Sequence, residues 1–160
     1  MGKNVRYDGG NKLDAYLIDI LGKYADFVPV CPEVECGLSV PRDSMRLHGN
    51  PAAPRLVVIA TGEDLTEKLS AWALRKVLEL EKEGLSGFVL KSRSPSCALR
   101  SVEVLGQDGI SYGAGTGIFA RALIEKFPSL PVEEETCLQD PEALKYFSGC
   151  LLKGYRGASG

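Results

Sequence analysis

The chain has 160 residues, 44% of them hydrophobic and 25% charged, with a net charge of −2 at neutral pH. That is enough chain for one domain with its own core, and the balance excludes a globally basic surface for nucleic acid. No apolar run approaches the roughly 20 residues of a membrane-spanning helix, and no charged-then-apolar leader opens the sequence, which predicts neither a membrane anchor nor a secretory signal.

Taken in chain order, "VRYDGG" first crowds Arg6, Tyr7 and Asp8 against two glycines. Arg6 and Asp8 are suited either to orient a planar polar ligand or to pair with each other in a turn. "NKLDAYLIDILGKYA" follows, with Leu13, Leu17, Ile20, Leu21 and Tyr24 at helical spacing and Asn11 as candidate N-cap. "FVPV" is a short β-rich run that ends at Cys31. Residues 32–54 are rich in Pro, Gly and Asn and predict a long surface excursion, and in a compact domain loops of that length are usually functional.

"RLVVIAT" over 55–61 is a strand candidate. "LTEKLSAWALRKVLELEKEG" is the longest helix, with Gly84 just beyond its end. "LSGFVLKS" is another strand and runs into "RSPSCALRSV". "VEVLGQDGI" predicts a strand and a turn, and "YGAGTGIFARALIEKF" a glycine-rich loop opening a helix. "LPVEEE" is a short strand whose acidic end, Glu133 to Glu135, reads as solvated. "DPEALKYFSGCLLKGY" is a last helix, with Asp140 as N-cap and Pro141 at the first helical position. Strands alternating with amphipathic helices predict a mainly parallel sheet with helices on both faces. The whole of 1–160 reads as one domain with a frayed tail at 155–160.

Five cysteines, an odd number without framework spacing, predict thiols kept free or bound to metal in a reducing cytoplasm. Cys31 and Cys36 are separated by four residues. That is wider than the two-residue gap of redox motifs and zinc ribbons, so redox pair, half a metal site and small buried side chain all remain open for them. Cys97 lies among Lys91, Arg93 and Arg100, cations that favour thiolate, with Ser94 and Ser96 at the same turn. Cys31 and Cys97 each follow a predicted strand, so a parallel sheet would bring both to its carboxyl edge, where open α/β sheets bind ligands. Cys137 and Cys150 read as structural fill. The single histidine, His48, disfavours a Ser-His-Asp or Cys-His mechanism. Gly113, Gly115 and Gly117 do not match the dinucleotide fingerprint, and either a phosphate cradle or a tight turn suits them.

In combination and in this order, "VRYDGG", "CPEVECGL", "VPR", "KSRSPSC" and "GTGIFARAL" resemble the thiouracil desulfidase family. The resemblance runs over nearly the whole chain. It implies a Rossmann-like α/β domain carrying a [4Fe-4S] cluster held by three cysteines, with the fourth iron open to the sulfur of a thiolated pyrimidine. It implies free 4-thiouracil as the substrate of short members, and 4-thiouridine in tRNA for longer members with a second domain. By position it makes Cys31 and Cys97 cluster ligands, puts Glu33 and Ser94 in catalysis beside the substrate, and puts Arg6, Tyr7 and Asp8 with Ser94 in substrate binding. Family members carry their third ligand in an S-x-C-L-L-G segment ahead of "VRYDG". This sequence opens at Met1-Gly2-Lys3 without it, so Cys36 and Cys150 are the substitutes to consider. The alternative is a truncated, inactive or purely binding domain that does not assemble the cluster.

Overall fold

The structure, a computed structural model, describes residues 4, 6–8, 14–106 and 108–153. The expected N-cap Asn11 and the tail at 155–160 lie outside the described residues. Helix α1 spans Ala15–Leu21, and its cap is Asp14, whose carboxylate accepts the Leu17 amide at 3.1 Å. "FVPV" is not a strand. Instead Cys31 precedes a one-turn helix, α2, over Pro32–Glu35. Proline suits the first turn of a helix because the amide it lacks would have no partner there.

The excursion expected over 32–54 also contains a strand, β1, at Met45–His48, paired antiparallel with β2 at Arg55–Val58. Helix α3 covers Thr66–Glu81, and Gly84 beyond it takes the left-handed φ of 64°. Strand β3 is Phe88–Leu90, β4 Val102–Leu105 and β5 Ser111–Gly115. Helix α4 is Ile118–Lys126, β6 is Val132–Glu134, and after a 3-10 turn at Cys137–Gln139 comes α5, Pro141–Lys153. Asp140 caps α5, accepting the Ala143 amide at 2.9 Å.

These elements make an α/β fold, but its sheet is not mainly parallel. One sheet has the order β2-β1-β4-β5, with β1 parallel to β4 and both outer pairs antiparallel. A second sheet pairs β3 with β6 in parallel. The reason is connection length. A parallel neighbour needs a crossover of about a dozen residues or more, whereas a short turn forces an antiparallel return. Only residues 49–54 join β1 to β2, and only 106–110 join β4 to β5. The glycine run taken for a loop is therefore half strand: Gly113 and Gly115 lie in β5.

Among the described residues, helices cover both faces of the β3–β6 pair but one face of the larger sheet. The main core packs Leu47, Leu56, Val58 and Val104 of that sheet against Leu69, Ala73 and Val77 of α3 and Phe119 and Leu123 of α4. Trp72 and Phe119 bring the two helices together with ring centres 5.4 Å apart. A second cluster joins Leu17 and Leu21 of α1 to Leu144 and Phe147 of α5, with Val89 of β3 packed on it. Alternation along β3 thus serves two cores, Leu90 facing the first and Val89 the second. On the larger sheet the opposite face presents Arg55, Glu103 and Ala114, all exposed. No helix among the described residues is long and apolar enough to cross a membrane.

Candidate active site

The carboxyl end of β3 feeds the segment 91–101, which carries Cys97. Its backbone is held from two sides. The amides of Gly117, Ile118 and Phe119 at the start of α4 donate to the carbonyls of Ala98, Pro95 and Ser96 at 2.7, 3.2 and 2.9 Å. A side chain at Gly117 would put its Cβ within 2.4 to 2.7 Å of the Ser96 and Cys97 backbone, so only glycine allows this approach. Of the two readings open for these glycines, the phosphate cradle fails, because the helix N-terminus is already occupied by the loop itself. Gly115 packs as closely on Val104.

From the other side come the three glutamates at the end of β6. Read from sequence as a solvated acidic run, they are all engaged. Glu133 pairs with Arg100. Glu134, 2% exposed, accepts the amides of Leu99, Arg100 and Ser101 and the Ser101 hydroxyl. Glu135 pairs with Lys91 and accepts the Ser92 amide and hydroxyl at 2.6 and 2.8 Å. Parallel pairing of β6 with β3 puts these carboxylates beside the segment that β3 feeds.

This overturns the expectation that surrounding cations depress the Cys97 thiol. Lys91 and Arg100 are each taken up by a carboxylate. Burial is the largest influence and pushes the Cys97 thiol far above its ordinary value; the charge of Glu33 adds to this, against a hydrogen bond from Ser94 and the weaker pull of Lys91. Burial likewise raises the Cys31 thiol. Both cysteines are built to stay protonated until a cation replaces the proton.

Glu33, on α2, meets this loop. Its carboxylate is bound twice by Arg42, through Nε at 2.8 Å and through a terminal guanidinium nitrogen, and it accepts the Ser96 hydroxyl at 2.6 Å. The Arg42 and Glu33 side chains are only 8% and 13% exposed, and Ser96 is fully buried. Sequence reasoning gave roles to neither Arg42 nor Ser96, although both stand inside quoted motifs. Ser94 does something different. Its oxygen accepts the Ser96 and Cys97 amides at 3.3 and 3.2 Å, and its own hydrogen bond reaches the Cys97 sulfur.

One cavity of about 970 Å³ collects these groups: Cys31, Glu33, Ser94 and Cys97 all line it, with Arg6 and Tyr7. That size is at the upper end for small-ligand sites. Part of the wall is apolar, including Leu17, Leu21, Leu90 and Phe147. Cys31 and Cys97 are near enough for the charge of one to act on the other. Asp8 is not on the wall; it pairs with Arg6 at 3.0 Å, while the Tyr7 carbonyl accepts the Arg42 amide at 2.8 Å. Cys36 also stays outside, donating to the Glu33 carbonyl at 3.2 Å. Cys150 lines a separate cavity of about 290 Å³ beside Phe147 and Pro131.

Two neutral thiols on one wall suit a soft, thiophilic metal group better than a hard cation. Among the described residues no group of three or more His, Cys, Asp or Glu is arranged to hold a metal ion.

Comparison with known proteins points the same way. An uncharacterized protein of Bacillus subtilis (strain 168), YbbK, is 29% identical over 101 residues, a stretch covering 60% of this chain and 66% of that protein, slightly under two thirds of its length. The solved structure of TudS, a [4Fe-4S]-dependent thiouracil desulfidase, is 30% identical and superposes with a TM-score of 0.65 over 92% of this chain and 91% of that one. The family described as 2-thiouracil desulfurase matches residues 1–135. The chain therefore belongs to the 2-thiouracil desulfurase family.

Proposed function

We propose that this protein removes sulfur from a thiolated pyrimidine, converting C=S to C=O with consumption of one water and release of one sulfide. The observation that carries this reading is the meeting of Cys31, Cys97, Glu33 and Ser94, distant in sequence, on one cavity wall. Membership of the family and likeness to a [4Fe-4S]-dependent thiouracil desulfidase support it.

Cys31 and Cys97 would hold the cluster, and their raised thiol values fit groups that lose a proton only to metal. A bound cluster would supply a Lewis acid with affinity for soft sulfur. The chain supplies the rest. Ser94, its oxygen fixed by two amides, would turn its hydroxyl from the Cys97 sulfur to the pyrimidine edge when substrate binds. Glu33 keeps lone pairs beyond those used by Arg42 and Ser96 and acts on water as general base. Arg6 and Tyr7 also line the cavity and would contact the substrate. A thiolated free base or nucleoside is the substrate we favour, since it needs no surface beyond the cavity. Turnover of 4-thiouridine within tRNA at a rate above that of 4-thiouracil would favour the longer substrate.

A second reading rests on one observation: among the described residues only two cysteines line the cavity. The chain would then bind a nucleobase without assembling a cluster. Anaerobic loading with iron and sulfide separates the two readings. About four irons per chain with visible absorbance supports the desulfidase, and fewer than one supports the binding domain. In the loaded enzyme, Glu33→Gln should keep its iron and lose about 100-fold or more of its turnover. Undiminished turnover removes Glu33 from the chemistry.

A further inference from the structure

Glu134 is a buried carboxylate that the proposed chemistry does not use. Its Oε1 accepts three consecutive amides, from Leu99, Arg100 and Ser101, at 2.7, 3.0 and 3.2 Å, and the Ser101 hydroxyl at 2.8 Å. Successive amides converging on one oxygen form an anion cup. Among the described residues no cation pairs with Glu134; the cup and the Ser101 hydroxyl compensate its charge. Burying a carboxylate is costly, and a neutral acceptor would satisfy the same donors at lower cost. The charge therefore calls for a use beyond packing.

The contacts run on to the other end of the loop. The Ser101 oxygen that donates to Glu134 also accepts the Arg93 amide at 2.8 Å. Among the described residues Arg93 is the one non-glycine in the left-handed region, with φ of 59°. Such strain persists only where the surroundings over-determine it. One carboxylate thus fixes both ends of the stretch from Arg93 to Ser101, and Cys97 lies between them.

We propose that Glu134 is a positioning residue that sets where the Cys97 sulfur stands in the cavity, holding the turn directly through its amides and, through Ser101, the strained backbone at Arg93. This rests on the reading of Cys97 as a cluster ligand. The effect would be on how tightly and in what geometry the cluster is held, because groups that orient a ligand typically change metal affinity by about 10–100-fold when removed.

The test compares the full chain with its Glu134→Gln and Ser101→Ala variants. After anaerobic loading, Glu134→Gln should surrender iron to a chelator about 10-fold faster or more, and the resonance spectrum of its reduced cluster should shift. Ser101→Ala, which removes the hydroxyl between Glu134 and the Arg93 amide but keeps the three backbone amides on Glu134, should give a smaller change in the same direction, and it carries the test if Glu134→Gln fails to fold. Before loading, amide exchange at 97–101 should rise in Glu134→Gln while exchange in α3 stays put. Wild-type loss rates and spectrum in both variants overturn the proposal. So does exchange that rises equally in the loop and in α3, the mark of a residue that only stabilises the fold. If the wild-type chain takes up no iron, the desulfidase reading fails by itself. The positioning claim is then judged on alkylation of Cys97 by iodoacetamide in the unloaded chain, and a rate equal in wild type and Glu134→Gln overturns it.

Discussion

The two cysteine-bearing walls of the cavity are built on opposite principles. Around Cys97, backbone groups on both sides are tied to regular structure: carbonyls to the start of α4, amides to the carboxylates of β6. Around Cys31, the backbone makes little more than one turn of helix, closed locally by the Glu35 carboxylate on the Cys31 amide at 2.9 Å. That wall is fastened to the body by side chains, through the ion pairs of Glu33 with Arg42 and Glu35 with Lys76 and the packing of Val30, Cys36 and Leu38 on the main core. A backbone-fastened wall moves only if a secondary element moves. A side-chain-fastened wall adjusts when an ion pair rearranges. The contrast teaches that one thiol is a fixed reference and the other is brought to it.

Breaking the Cys31 wall at its buried ion pair should have the largest effect. Arg42→Met leaves Glu33 charged and without its main partner, and losing one member of a buried pair costs about 3–5 kcal/mol. Urea unfolding of the variant measures this, and a loss below about 1 kcal/mol would mean that Glu33 is effectively solvated.

Next comes the Cys97 wall. Gly117→Ala drives a Cβ into the Ser96 and Cys97 backbone, and overpacking of this kind costs about 1–3 kcal/mol. Because the clash is with backbone, the loop must shift as a unit. The variant should also lose iron-binding capacity, whereas a variant with wild-type melting and wild-type iron content would show that loop and helix are not locked together.

The third prediction concerns pH. Burial raises the Glu135 carboxyl, but the hydrogen bonds from Lys91 and Ser92 outweigh it and hold it below the usual range. Its contribution to stability is full above the ordinary glutamate value of about 4.3, and it is lost as pH falls through the lower folded value. Glu135→Gln should therefore be less stable than wild type by about 1–2 kcal/mol at pH 6, with the two converging once the pH drops well below 4.3. A constant difference across that range, read by thermal unfolding of the unloaded chain, assigns the effect to packing. Smallest of all is Lys76→Met. Its ion pair with Glu35 at 2.9 Å is partly exposed, so the cost should stay under about 1 kcal/mol; a larger one would make the Cys31 wall as rigid as its opposite.

What the sequence made legible follows from the range of each signal. Helical periodicity is local, so α3, α4 and α5 and the cap at Asp140 could be read directly, while Gly84, expected at C′, lies one position past it because the helix is capped at Lys82. Strand order is not local: alternation of strands and helices predicts a parallel sheet, whereas the short connections at 49–54 and 106–110 impose antiparallel pairs. The cavity-lining cysteines were legible through the motifs that carry them. Glu134 and Glu135 were not, since a run of three glutamates looks solvated until β6 is known to pair with β3. Arg42 and Ser96 stood in plain view, but their partner Glu33 is remote from Ser96 in sequence and identifiable only in three dimensions.

The docking of the 95–98 carbonyls onto the first turn of α4 also fixes the length of that loop. Carbonyls at 95, 96 and 98 are matched one by one to amides at 117–119. Adding or deleting a single residue between Arg93 and Ser101 would slip this register and strand several buried backbone groups at once. Redesign of the pocket should therefore keep the Cys97 side at constant length.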